Sequence, residues 1–283
     1  MPKGSEMSLK LMYITNKPEI ARIAERAGVD RIFVDLEYIG KESRQGGMDT
    51  VQSHHTINDI ADIRKSITKA QLLVRCNPIH KASDKFTSSE EEIKAIIENG
   101  ADIIMLPYFK SVKEVEDFIG YVGGRTQTML LVETPEAVSL IDDILNIDGI
   151  DETYIGLNDL SLGYGKKFLF ELLADGTVER LCYKFKEKGL PYGFGGIASL
   201  GHGALTSEMV IKEHYRLGST RAILSRSFCD VDKVRDLETI SSVFMNGIRD
   251  IREFEKQCEG YNGYFSDNQN AVKRVVKQIV ESR

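Results

Sequence analysis

The spacing of short apolar runs predicts an α/β fold and, within that class, a (β/α)8 TIM barrel with an additional C-terminal helix. The 283 residues contain eight runs of about strand length, and helix-like segments lie between most of them. Successive strand ends are separated by about 32 residues on average, close to the ~31 residues per unit of a typical barrel. An open doubly wound sheet is the alternative, because alternation alone does not show closure. The predicted strands are Leu9–Ile14, Arg31–Asp35, Gln71–Cys76, Ile103–Leu106, Met129–Val132, Thr153–Ile155, Tyr192–Gly195 and Ala222–Leu224.

Local signals mark where the intervening helices begin and end. Ser88 with Glu91, and Ser111 with Glu114, have the spacing of capping boxes. Thr134 followed by proline fits an N-cap with proline at the first helical position, and Gly100 is a C-terminal stop. The pattern is therefore a repeated β-strand and α-helix.

No segment rich in Pro, Gly or Ser divides the chain, so residues 1–257 are predicted to form one barrel domain and 258–283 a helical appendage. The appendage has an apolar stripe with the period of an amphipathic helix. This stripe packs either on its own barrel or at a subunit interface. The stripe consists of Val272, Val275, Val276, Ile279 and Val280.

Charge and composition exclude several classes of protein. There are 37 Lys and Arg against 43 Asp and Glu, a net charge of −6, with no basic block, so a nucleic-acid partner is not expected. No apolar run approaches the ~20 residues of a membrane span, and the N-terminal stretch lacks a signal-peptide core, so we expect a cytoplasmic protein without a membrane partner. The four cysteines form no CxxC pair and are expected to be reduced thiols.

Two acidic residues follow neighbouring predicted strands. Glu133 ends the run Met129–Val132, and Asp159 follows the next run by a few residues. The carboxyl ends of barrel strands meet at one rim, so both acids are candidate ligands of one Mg²⁺ or Mn²⁺ ion. The alternative is that each acid caps the helix that follows it.

Arg75 ends another predicted strand, where its guanidinium is suited to a bidentate contact with a substrate carboxylate. An ion pair with Asp35 or Glu37 on the preceding strand is the alternative. Both arrangements hold together if an acid orients the arginine.

Five segments lie in order along residues 30–165, at 34–37, 73–78, 100–107, 132–137 and 150–161. Together they resemble the HpcH/HpaI aldolase and citrate lyase β-subunit family. The resemblance implies a phosphoenolpyruvate/pyruvate-type TIM barrel in which a divalent metal assists cleavage or formation of a carbon–carbon bond next to an enolate. It also implies that Glu133 and Asp159 hold the metal, that Arg75 contacts the carbonyl or carboxylate region of the substrate, and that the protein is a homo-oligomer, a trimer or a hexamer.

The sequence departs from the aldolase branch at two positions. Tyr38 stands where that branch has histidine, and Leu131 stands where it has glutamine. The long loop after the second strand offers His54 and His55 as replacement general bases. Together with Glu37 and Arg75, they are the candidate catalytic residues. The alternative is that both histidines are solvated or cap a helix.

Further residues near strand ends are candidates for substrate binding. Gly195 and Gly196 belong to a stretch that imitates a dinucleotide fingerprint, but the loops after strands 7 and 8 of a barrel more often bind a phosphate or carboxylate. Ser225, after the eighth strand, and Asn158, beside Asp159, complete this set.

Together these residues predict a divalent-metal-dependent carbon–carbon lyase of the class II aldolase type. Its substrate is expected to be a small 2-oxo or 3-hydroxy carboxylic acid, handled through a metal-stabilised enolate. A citrate-lyase-like acyl-CoA lyase or thioesterase is one alternative, and a non-catalytic binding protein that retains the barrel is another.

Overall fold

Eight parallel strands form a closed barrel in a computed structural model that describes residues 8–40 and 54–283. Each strand pairs with its neighbours in sequence, and β1 pairs with β8 to close the barrel, so the predicted TIM barrel is confirmed and the open sheet is wrong. The observed strands differ from the predicted ones by no more than two residues at either end. They are β1 (Lys10–Ile14), β2 (Arg31–Asp35), β3 (Gln71–Arg75), β4 (Ile103–Leu106), β5 (Gln127–Val132), β6 (Glu152–Ile155), β7 (Tyr192–Ile197) and β8 (Arg221–Leu224).

Helices cover the outside of the barrel, and several begin at the predicted caps. The hydroxyls of Ser88 and Ser111 accept hydrogen bonds from the backbone three residues later, and both capping boxes are complete. Thr134 accepts from the backbone N–H of Ala137 and caps the next helix. The described helices are α1 (Pro18–Ala27), α2 (Ile57–Ser66), α3 (Ser89–Glu98), α4 (Val112–Val122), α5 (Pro135–Ser139), α6 (Ile141–Ile144), α7 (Leu157–Gly163), α8 (Glu171–Ala174), α9 (Thr177–Glu187), α10 (Ser207–Leu217), α11 (Leu237–Cys258) and α12 (Phe265–Glu281).

Two apolar cores follow from the alternation of side chains along the strands. The larger core lies between the strands and the surrounding helices. A smaller one fills the barrel interior, where the side chains of Phe33, Met105 and Leu131 are at most 4% exposed. The interior core forms the floor of the cavity described below.

A buried ion cluster fills the end of the barrel at which the strands begin. Glu152 accepts two hydrogen bonds of 2.7 Å from Arg31 and two, of 3.1 and 2.9 Å, from Arg221. Burial alone would raise the pKa of Glu152, but the hydrogen bonds and charges of the two arginines outweigh it and lower the pKa to about 2. The cluster joins β2, β6 and β8 across the barrel.

The pairing of β7 with β8 contains an irregularity close to the opposite end. Gly193 pairs with Arg221 and Gly196 pairs with Ile223, so one extra residue of β7 bulges out. Gly195, inside the bulge, has a φ of +58°, which glycine adopts without strain. The bulge turns the glycine backbone towards the cavity.

The last two helices pack against the barrel's own outer layer. Helix α11 lies on α1, and α12 lies on α8 and α10, where Val272 and Val276 are buried. The amide of Asn268 donates to Glu213 at 2.8 Å and to the carbonyl of Met209. The division of the domain at residue 257, one residue before the end of α11, and the subunit contact remain predictions. Among the described residues, no helix combines the length and apolarity required to cross a membrane.

Candidate active site

A cavity of about 430 Å³ opens where the strands end, the usual position of the active site in such barrels. Seven of the residues predicted from the sequence line it. They arrive from β3, from the segments after β5, β6 and β8, and from β7 itself. These residues are Arg75, Glu133, Asn158, Asp159, Gly195, Gly196 and Ser225.

Two buried carboxylates of the β2 region hold Arg75. Asp35 accepts hydrogen bonds from Nε at 2.8 Å and from Nη2 at 2.7 Å, and Glu37 Oε2 lies 3.3 Å from Nη1. The Phe33 ring lies 5.7 Å from the guanidinium carbon. The ion pairs considered as an alternative to substrate binding are therefore present, and they fix the orientation of a group that still lines the cavity.

Arg75 keeps its charge in this setting. Burial alone would lower its pKa, but the charges of Asp35 and Glu37, with a smaller effect of Glu133, hold that pKa well above its usual value. A guanidinium has five N–H donors, of which Nε and Nη2 each direct one to Asp35. Nη1 faces Glu37. If Nη1 directs one N–H to that carboxylate, Nη1 and Nη2 each retain one N–H for a ligand.

Glu133 follows β5 and is 4% exposed. Its Oε1 accepts a 3.0 Å hydrogen bond from the backbone N–H of Tyr108, whose φ of +48° is unusual for a residue with a large side chain. Gly156 lies against it, because a Cβ built on that glycine would come within 2.6 Å of Glu133 Oε2. Since Thr134 caps α5, Glu133 does not serve as that cap.

Asp159 and Asn158 lie in the first turn of α7, which begins just after β6. Asp159 is 6% exposed. Asp159 and Glu133 both line the cavity that Arg75 also lines. Carboxylate oxygens are the ligands that a hard divalent cation prefers.

The donor set fits a hard metal ion that takes part of its coordination from substrate or water. Within residues 8–40 and 54–283, no group of three or more His, Cys, Asp and Glu side chains is arranged to hold a metal. Glu133 and Asp159 would supply a pair of carboxylates, and Mg²⁺ is commonly held by one or two carboxylates plus substrate oxygens.

The two histidines proposed as bases lie apart from the lining of the cavity. His55 is buried behind β2, where its Nδ1 accepts a 2.9 Å hydrogen bond from the backbone N–H of Asp35 and its carbonyl accepts from the Tyr38 hydroxyl. His54 is exposed, with its ring centre 6.4 Å from that of Tyr38. His55 thus contacts the strand that carries Asp35, and neither histidine is among the described residues that line the cavity. Glu37 reaches the cavity through Arg75.

An apolar wall of the cavity was missed in the sequence. We define this wall as Leu157, Phe168, Leu169, Phe170 and Leu205, all of which line the cavity. Three of the five are consecutive in the loop between α7 and α8. The available signal was a run of three large apolar residues, in a segment too short for a helix, that begins nine residues after Asp159.

A comparison with protein-family models decides the relationship. The model described as HpcH/HpaI aldolase/citrate lyase matches residues 10–168, more than half of the chain. The chain belongs to this family. The match runs from β1 to the apolar wall and includes Arg75, Glu133 and Asp159.

One curated enzyme is similar to part of this chain, and several solved structures share its fold. A hydroxypyruvate/pyruvate aldolase of Rhizorhabdus wittichii is 35% identical over 89 residues, which are 28% of this chain and 36% of that enzyme, so the match spans about a third of the curated relative. The HpcH/HpaI aldolase of Desulfitobacterium hafniense superposes with a TM-score of 0.56 at 17% identity, covering 88% of this chain and 95% of the other. A family protein of Burkholderia cenocepacia gives 0.59 at 13% identity, over 82% and 95%. The citrate synthase SbnG gives 0.60 at 15% identity, over 84% and 95%. These structural likenesses show the shared fold.

Proposed function

We propose that this member of the family is a divalent-metal-dependent carbon–carbon lyase of the aldolase type, acting on a small 2-oxo or 3-hydroxy acid. The observation that carries the proposal is the convergence of Glu133, Asp159 and Arg75 on one cavity at the carboxyl ends of the strands. The activity named for the partly matching relative, hydroxypyruvate/pyruvate aldolase, agrees with it.

Each polar group has a defined task in this proposal. Glu133 and Asp159 would hold Mg²⁺ or Mn²⁺, which would polarise the carbonyl of a 2-oxo acid and favour loss of a proton from the neighbouring carbon. Arg75 would donate its remaining N–H groups to the substrate oxygen on which negative charge develops. Asp35 and Glu37 keep the arginine oriented, so that little reorganisation accompanies the reaction.

The glycine bulge and the residues near it would bind the rest of the acid. Gly195 and Gly196 present backbone without side chains to the cavity, and Ser225 lies beside Gly196, whose added Cβ would be 3.4 Å from the serine Cβ. Asn158 would place its amide next to Asp159. These groups are suited to a carboxylate because they offer neutral donors in a partly buried setting.

Exchange of the methyl protons of pyruvate for solvent deuterium, followed by NMR, tests the proposal without an electrophilic partner. We expect exchange that requires Mg²⁺ or Mn²⁺ and stops with a chelator. The Glu133→Gln variant should lose both exchange and Mn²⁺ binding, whereas Glu136→Gln, a matched change at an exposed acid three residues later, should retain both. Exchange that persists without metal, or in Glu133→Gln, contradicts the proposal.

Binding of a CoA thioester receives less support. Recognition of the nucleotide phosphates usually relies on Lys and Arg. Arg75 is the only Lys or Arg among the described residues lining the cavity, and acidic groups already engage it. Turnover of acyl-CoA substrates without pyruvate exchange would favour that alternative, and failure of both reactions would favour a binding protein. A homo-oligomer of three or six subunits and a cytoplasmic location remain predictions.

A further inference from the structure

The cavity has two chemically different sets of lining residues. Arg75, Glu133 and Asp159 come from β3, the segment after β5 and the first turn of α7. The apolar wall defined above comes from Leu157 in that same turn, from the α7–α8 loop and from the segment after β7. Pyruvate is small next to a volume of about 430 Å³, which lies in the range of sites for much larger ligands. The apolar wall is therefore available for a second reactant.

Packing holds the apolar wall in place. The Phe168 and Phe170 rings meet edge to face with centres 5.4 Å apart. Behind them, the Arg283 guanidinium lies 4.9 Å from the Phe168 ring centre and donates to the carbonyl of Lys167 at 2.7 Å. Leu157 approaches the bulge so closely that a Cβ on Gly195 would be 2.9 Å from its Cδ1. The wall is thus a preformed surface.

The charge of the lining limits what this surface accepts. The described lining residues include no Lys or Arg other than Arg75, which Asp35 and Glu37 hold. At the described wall, an aldehyde with a second carboxylate or a phosphate would meet apolar side chains, and burying such a charge without a partner is costly. A hydroxylated aldehyde would leave its hydroxyls without partners at the wall.

We propose that the electrophilic substrate is an uncharged aldehyde with an apolar aryl or alkyl group, and that Leu169 and Phe170 determine this specificity. The inference rests on the proposed function. In the addition direction, pyruvate gives up a methyl proton, the resulting carbon bonds to the aldehyde carbon, and the aldehyde oxygen takes up a proton. The product is a 4-hydroxy-2-oxo acid with an apolar group at its far end, and the lyase reaction is the reverse.

Competing aldehydes test this specificity. Pyruvate and metal are incubated with benzaldehyde, hexanal, glycolaldehyde or succinic semialdehyde, and kcat/KM is measured for each product. We expect the two apolar aldehydes to exceed the two polar ones by at least about tenfold, the scale of discrimination by an apolar pocket. This measurement uses the unaltered protein, so it does not depend on whether a variant folds.

Variants locate the discrimination in the wall. Leu169→Ser and Phe170→Leu should each lower the ratio of apolar to polar kcat/KM about tenfold. Leu140→Ser replaces an equally half-buried leucine away from the cavity and should leave the ratio unchanged. If pyruvate exchange occurs but polar aldehydes are preferred, this inference is wrong and the proposed function stands. The same holds if exchange occurs but the ratio of apolar to polar kcat/KM in Leu169→Ser and Phe170→Leu equals that of the parent. If exchange itself is absent, both are wrong.

Discussion

Replacement of Gly156 by alanine should displace Glu133 without adding or removing a charge. The added Cβ would lie 2.6 Å from Glu133 Oε2 and 2.8 Å from its Cβ, whereas ordinary contact begins at 3.4 Å. The glutamate would therefore have to retreat by about 0.6–0.8 Å. The φ of Gly156 is −81°, so alanine adds no backbone strain and the effect is one of contact alone.

This displacement predicts a large functional loss and a moderate loss of stability. A shift approaching 1 Å in a catalytic group costs on the order of 10²-fold in rate, and overpacking a core costs about 1–3 kcal/mol. Gly120→Ala is the matched control, because Gly120 lies within α4 with nothing near its Cβ position. That change should be neutral or stabilise by about 0.5–1 kcal/mol.

Titration calorimetry with Mn²⁺, pyruvate exchange and urea unfolding would be measured on both variants. We expect Gly156→Ala to bind Mn²⁺ more weakly and to exchange pyruvate about 10²-fold more slowly while remaining folded. Full Mn²⁺ affinity and full exchange in Gly156→Ala would refute the assignment of Glu133 as a ligand placed by this contact.

Three further outcomes are expected. Glu152→Gln leaves Arg31 and Arg221 buried with uncompensated charge, so urea unfolding should show a loss of about 3–5 kcal/mol. Because the pKa of Glu152 is about 2 in the folded protein and 4.5 ordinarily, its contribution to the free energy of unfolding is present above pH 4.5 and is lost as the pH falls towards 2. The free energy of unfolding of Glu152→Gln should therefore depend less on pH over that interval. Equal pH dependence in the parent and the variant would contradict the argument. Arg75→Lys keeps a positive charge but loses the planar guanidinium that makes two parallel hydrogen bonds. Calorimetry should find Mn²⁺ binding retained, whereas kcat/KM should fall by an amount equivalent to about 2–4 kcal/mol of transition-state stabilisation. Deletion of residues 268–283 uncovers the surfaces of α8 and α10 and should lower the midpoint of thermal unfolding. Light scattering on the same variant tests the predicted subunit contact, because an unchanged number of subunits would exclude it.

Two of the site residues were predictable because a compact run of buried apolar residues stops at a charged residue. Arg75 is the last residue of β3 and Glu133 directly follows β5, and the closed barrel then brings them to one cavity. Asp159 required one further step, because it lies in the first turn of a helix that begins immediately after β6.

Contacts between distant segments were not predictable from such runs. Arg31, Glu152 and Arg221 stand at the starts of β2, β6 and β8, separated by 121 and 69 residues, and each alone resembles an ordinary charged residue before a strand. The direction of the His55 side chain was not predictable for a related reason. His55 lies between β2 and α2, but its ring accepts a hydrogen bond from the backbone N–H of Asp35, and the sequence carries no signal for the direction of a loop side chain.

The buried ion cluster has a consequence for how the molecule changes over generations. The cluster joins β2, β6 and β8 at the end of the barrel that faces away from the cavity. The ion pairs that hold these strands together and the side chains that line the cavity are therefore at different ends. Substitutions in the α7–α8 loop can accumulate without weakening these ion pairs. Selection can therefore act on the residues that line the cavity and on the stability of the barrel as nearly independent traits.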